Sequence, residues 1–179
     1  MVDADAQRAW RGATLGHTVE LLGLSVWVGG LIAILATVIP EVFNLGVEPG
    51  GRLLTRVFGR YNTLVFGAMG LLIGVSLYRL WLSLGKGLDA AALPRMEWVI
   101  LGLMTAIQLL LVLVLVPDSV TLQEQAFATQ GDAARKAAHE AFFRSHKMVR
   151  YLYLANLGLG IGLMSMKVRG WVNPRSAST

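Results

Sequence analysis

Residues 15–39 read LGHTVELLGLSVWVGGLIAILATVI, twenty-five positions that contain one histidine, one glutamate and no basic residue. A helix of about 20 apolar residues crosses the ~30 Å hydrocarbon core of a bilayer. This stretch is long enough, and Pro40 behind it predicts where the span stops. A backbone in lipid must satisfy its own hydrogen bonds, so the span is helical. Three further runs repeat the pattern: 64–84 before Gly85-Lys86-Gly87, 98–116 between Pro94 and Pro117, and 148–168 before Arg169-Gly170.

Composition agrees with that reading. The chain has 179 residues, of which 55% are hydrophobic and 15% charged, and its mean hydropathy is +0.58. Soluble domains carry roughly a quarter charged residues. The net charge of +5 comes from basic residues lying between apolar runs, as membrane proteins arrange them, so no nucleic-acid partner is expected. There is no cysteine, which excludes disulfides, thiolate metal sites and thiol nucleophiles. The acidic start MVDADAQ and the lack of a small-residue cleavage site predict a retained first span and no cleaved signal peptide.

The expected fold class is therefore all-α, an integral membrane up-down four-helix bundle forming a single domain over 1–179. Both termini and the short 85–97 connection share one side, with Trp10, Trp81, Trp98 and Trp171 near that interface. The longer connections, 40–63 and 117–147, lie on the other. Lys and Arg divide evenly between the sides, and the greater weight of short loops places the termini in the cytoplasm of a bacterial inner membrane. In 132–168, Ala134, Ala138, Ala141, Phe142, Ser145, Met148 and Leu152 recur at helical spacing, predicting one helix about 55 Å long. With 120–130 as its other arm, 117–147 becomes a helical hairpin projecting from the membrane. RLLTRVFGR (52–60) has the pattern of a short amphipathic helix lying on the bilayer surface.

Ionisable residues inside spans are costly and face a bundle interior or mark a path. His17, Glu20, Arg79, Glu97 and Lys167 all fall towards the same membrane face and are read as one polar cluster, with Glu20 paired to Arg79 or Lys167. His17 also admits a single-ligand role towards haem or a chlorophyll-type pigment, with Ala13 four residues before it and Gly16 and Gly23 leaving surface open. His139 and His146 lie about 30 Å away across the membrane, so a site shared with His17 is not expected, and no metal site is. Gln108 and Asn156 fall near the midplane as polar links between the third and fourth helices. Gly70-x-x-x-Gly74 and Gly158-x-x-x-Gly162 permit close helix packing, within the bundle or towards a partner chain. No phosphate loop, His-Glu-x-x-His or nucleophile elbow occurs, so no enzymatic activity is expected.

HTVELLGLSVWVGGLIAI, VFGRYN and AFFRSHKMVRYLYLAN together resemble the transmembrane-protein-205-like family, four-helix membrane proteins of unknown function. The first stretch is also similar to copper-resistance D type membrane proteins. The resemblance implies that Trp27, Gly29 and Gly30 form a first-helix motif. Phe58 and Tyr61 match the start of the second helix, and Phe142, His146 and Asn156 match the fourth. It implies no activity. The expected function is a non-catalytic accessory or structural subunit of a larger membrane complex, of electron-transfer or photosynthetic type, held in the bilayer by other membrane-protein subunits. The alternative is a stand-alone membrane protein for transport or for handling a metal, haem or pigment.

Overall fold

A computed structural model describes residues 4–86, 94–129 and 132–172, and these build four long helices with no strand among them. Helix α1 covers 4–44, α2 is Val47–Lys86, α3 covers 95–128 and α4 is Asp132–Val172. At 1.5 Å per residue, α2 and α4 are each about 60 Å long, twice the thickness of the hydrocarbon.

The turn between α1 and α2 is short because two glycines permit it. Gly46 takes φ +86°, a left-handed conformation that costs glycine little. A Cβ on Gly50 would sit 2.7 Å from the Val42 carbonyl oxygen, so only glycine allows α2 to start against the end of α1.

Neither expected proline stop is a stop. Pro40 lies inside Ile39–Asn44 and Pro117 inside Val116–Ala128, and each helix passes through its proline. The reason precedes each ring: a five-residue π-turn, Ile34–Val38 before Pro40 and Leu111–Leu115 before Pro117. A proline ring collides with the carbonyl four residues back, and the wider π-turn moves that carbonyl aside. Residues 52–60 likewise form no separate surface helix. They are an early part of α2, which stands beside α3 and touches α4 through Phe58 and Tyr153.

Helix α3 repeats α1 at a constant offset, since 97 − 20 and 117 − 40 both equal 77. Glu20, Leu24, Trp27, Leu31 and Ile34 are buried in α1, as are Glu97, Leu101, Met104, Gln108 and Leu111 at the matching positions of α3. The π-turns and prolines obey the same offset. Helices α1 and α3 thus follow one plan, and the four helices pack around a shared core of Leu24, Trp27, Leu31, Val65, Leu72, Met104 and Leu163.

Among the described residues, three helices are long and apolar enough to cross a membrane, within Thr14–Val42, Glu48–Leu84 and Arg95–Ala128. Helix α4 falls outside that set because Asn156, Lys167 and three glycines dilute its apolar stretch. It nevertheless exposes Tyr151, Leu154, Ile161 and Val168, which continue the outward apolar surface of Leu22, Leu71, Val99 and Leu113. Residues 87–93 and 173–179 lie outside the described residues, as do the side chains of Trp10, His139 and Trp171.

Candidate functional site

Each helix sends one charged side chain to a common point. Glu20 comes from the third turn after Gly12 in α1, Arg79 from near the end of α2, Glu97 from the first turn of α3 and Lys167 from near the end of α4. Arg79 Nη1 donates to both carboxylate oxygens of Glu20, at 3.3 and 3.0 Å. Lys167 Nζ donates to Glu20 Oε2 and to Glu97 Oε2, each at 2.8 Å. His17 Nδ1 lies 3.6 Å from Glu20 Oε2 on the half-buried flank. Glu20 has no solvent exposure, and the other three charged members, Arg79, Glu97 and Lys167, have less than a tenth.

The arithmetic of the cluster is two carboxylates against two cations. Desolvating a charge costs several kcal/mol, and attraction repays it only with good geometry and full pairing. Neutrality here requires all four helices, so the cluster acts on register more than on net stability. A sliding helix would strand a buried charge.

Glycine lets this approach happen. A Cβ on Gly16 would meet Val75 at 3.4 Å and the Arg79 stem at 4.0 Å, and one on Gly23 would meet Leu72 at 3.1 Å and the Ala68 carbonyl oxygen at 3.3 Å. Helix α2 therefore packs against Gly16 and Gly23, while the His17 side chain stays partly exposed. Ser76 joins the cluster's surroundings. It lines a cavity of about 10 Å³ with Glu97, Trp98 and Lys167, room for about one water.

A second polar layer lies deeper, 11 residues or about 16 Å from the cluster along α3. Gln108 Nε2 donates to Asn62 Oδ1 at 3.1 Å, Tyr153 Oη donates to the same oxygen at 3.0 Å, and Asn156 Nδ2 donates to Gln108 Oε1 at 3.2 Å. Helices α2, α3 and α4 are tied there. Asn156 Oδ1 and Thr105 Oγ1 are buried without a hydrogen-bond partner. Helix α1 joins through Tyr61, whose hydroxyl donates to the Trp27 carbonyl oxygen at 2.7 Å. Trp27 sits in another π-turn, Ser25–Gly29, and its carbonyl oxygen accepts the Gly30 N–H as well as the Tyr61 hydroxyl. Gly30 makes room for that ring, since a Cβ there would be 3.0 Å from Tyr61.

These contacts unite Trp27, Gly30 and Tyr61, and Phe58 packs on Tyr153 in a tilted ring pair at 5.0 Å between centroids. A family model for a domain of unknown function, DUF4149, matches residues 22–128. The chain belongs to the DUF4149 family. No curated protein and no solved structure matches it. The DUF4149 segment includes both π-turn-and-proline units and stops where α3 stops. Tyr153, Asn156 and Lys167 of α4 complete both polar layers from outside it.

Within the DUF4149 chain, the packing role expected of Gly70, Gly74, Gly158 and Gly162 inside the bundle is not found. A Cβ on any of the four would meet nothing within 4 Å. The close approach is made instead by Gly160, where a Cβ would lie 2.6 Å from Val28 and 3.3 Å from Met104. Among the described residues no group of three or more histidine, aspartate or glutamate side chains is placed to hold a metal. His146 packs on Phe142 at 5.6 Å between centroids, on α4 and away from His17.

Sequence reasoning missed Asn62, Tyr153 and Ser76, and named Tyr61 only through the family resemblance. Asn62 and Tyr61 stood two or three residues before the run assigned as a span, and extending that helix by one turn would have included them.

Proposed function

We propose that this DUF4149 protein is a non-catalytic integral membrane subunit whose buried charges lock its own helices and whose outer faces dock against other membrane proteins. The observation that carries the reading is the closed balance of Glu20, Arg79, Glu97 and Lys167. Each charge is spent on another helix of the same chain, leaving none directed at a substrate. The outward apolar residues of α3, from Met96 to Val114, span about 27 Å, which suits the hydrocarbon thickness. Gly70, Gly74 and Gly158 lie exposed within that zone, a surface on which a partner helix could approach closely. Kinship with the transmembrane-protein-205-like proteins is part of this reading and rests on the Trp27, Gly30 and Tyr61 motif. The termini are assigned to the cytoplasm of a bacterial inner membrane because the short connection with Lys86 and Arg95 shares their side.

A second reading, a stand-alone protein for transport or cofactor handling, draws on the unpartnered Asn156 Oδ1 and Thr105 Oγ1 near mid-helix. The native mass after gentle extraction in mild detergent separates the two. A large hetero-oligomeric particle is expected. A monomer or small homo-oligomer would refute the subunit reading and favour the second.

A further inference from the structure

The charge cluster joins neighbouring helices on three sides of the bundle and leaves the fourth side unjoined. Glu20 with Arg79 ties α1 to α2, Glu20 with Lys167 ties α1 to α4, and Glu97 with Lys167 ties α3 to α4. Between α2 and α3, the hydrogen bonds among the described residues are Thr55 to Gln123 and Asn62 to Gln108. Ser76 lies about 21 Å beyond Asn62 along α2, 14 residues at 1.5 Å each. At its level no hydrogen bond among the described residues links the two helices.

A cavity of about 10 Å³ occupies that place. Leu72 and Ser76 wall it from α2, Glu97 and Leu101 from α3, and Leu163 and Lys167 from α4. Its three polar side chains have hydrogen-bonding capacity that protein atoms do not use. Ser83 and Ser165 turn their hydroxyls onto carbonyls of their own helices, at 3.1 and 2.8 Å, a habit of serine within helices. The Ser76 hydroxyl, on a residue 2% exposed, makes no hydrogen bond with a described residue. Glu97 receives Lys167 on Oε2, which leaves Oε1. Lys167 Nζ donates to Glu20 and Glu97 and, as an ammonium with three N–H groups, keeps one more.

Charge and size select the occupant. Two carboxylates already balance two cations, so an added ion would be a buried charge without a counter-ion, which is costly. The volume admits one water and nothing larger. Glu97 stands in the first turn of α3, next to Met96, where the outward apolar surface begins. The path from the aqueous side is therefore short.

We propose that this cavity is the site of one ordered water, which accepts from the Ser76 hydroxyl and Lys167 Nζ and donates to Glu97 Oε1. Three hydrogen bonds are the usual number for a buried water. The water supplies the missing link between α2 and α3 and closes the ring of four helices at the level of the charges. The inference rests on the reading that these charges lock the helices, and adds the fourth side of that lock.

Replacing Ser76 with alanine separates a wet cavity from a dry one by sign. With water in place, Ser76→Ala removes one of its three partners. The unfolding equilibrium constant of the full chain in mixed micelles should then rise roughly fivefold. In a dry cavity the same change removes a buried hydroxyl bonded to nothing and installs a better helix former, so the constant should stay or fall. That result overturns the proposal. In a structure of the parent protein fine enough to show ordered waters, density is expected within hydrogen-bond reach of Ser76 Oγ, Glu97 Oε1 and Lys167 Nζ. A cavity without density, or density that leaves Ser76 out, refutes the site as well. Glu20→Gln in the same titration reads the charge lock by itself. If Glu20→Gln destabilises while Ser76→Ala does not, the water falls and the lock stands; if neither does, both fall.

Discussion

Replacing Glu20 with glutamine should be the most damaging single change in the charge cluster. Glu20 is the sole carboxylate within 4.0 Å of Arg79 and one of two beside Lys167. Its loss leaves Arg79, 7% exposed, as a buried cation with no counter-ion, and gives the cluster a net positive charge. Breaking a buried pair by removing one partner costs about 3–5 kcal/mol. Glu97→Gln leaves the same net charge but should cost less, about 1–3 kcal/mol, because Arg79 and Lys167 both keep Glu20 as a contact. The decisive comparison is the double variant Glu20→Gln with Arg79→Met. It removes one charge of each sign and leaves Lys167–Glu97 as a neutral pair, so it should be more stable than Glu20→Gln alone. Equilibrium unfolding of purified protein in mixed micelles, titrated with a denaturing detergent, gives all the free energies needed. Additivity of the two substitutions to within about 0.5 kcal/mol would refute the claim that charge balance organises the four helices.

Other outcomes follow from single contacts. Gly160→Ala should lower the melting temperature, as overpacking costs about 1–3 kcal/mol, while Gly158→Ala, with open space around it, should leave it unchanged. Tyr61→Phe removes the hydrogen bond to the Trp27 carbonyl and should cost about 0.5–1.5 kcal/mol in the same unfolding titration. Asn62→Leu strands Gln108 Nε2 and the Tyr153 hydroxyl together. It should therefore cost more than Asn156→Leu, which frees only Gln108 Oε1.

The all-helical character, three of the four expected apolar spans and the single helix over 132–168 were legible in the sequence, because apolar run length and helical periodicity are local properties of the chain. The shared depth of Glu20, Arg79, Glu97 and Lys167 was legible too, by counting residues from the span ends. The prolines were misread. A proline normally breaks a helix, and nothing in LATVIP or VLVLVP announces a π-turn that accommodates the ring.

Small residues show most clearly where sequence reasoning stops. Gly70, Gly74, Gly158 and Gly162 have the spacing of a packing motif and face open space, whereas Gly160, between two of them, receives Val28 and Met104. Spacing places residues on a face of a helix but does not say which face turns inward.

By itself, the sequence determined that this chain makes long apolar helices and sets charged groups near one end of each. Only the tertiary structure decided that Lys167 bridges both glutamates and that Tyr61 takes the Trp27 carbonyl. Helix formation is governed by neighbours in the chain. These pairings depend on the rotation and depth of four helices relative to one another, which local propensity does not specify.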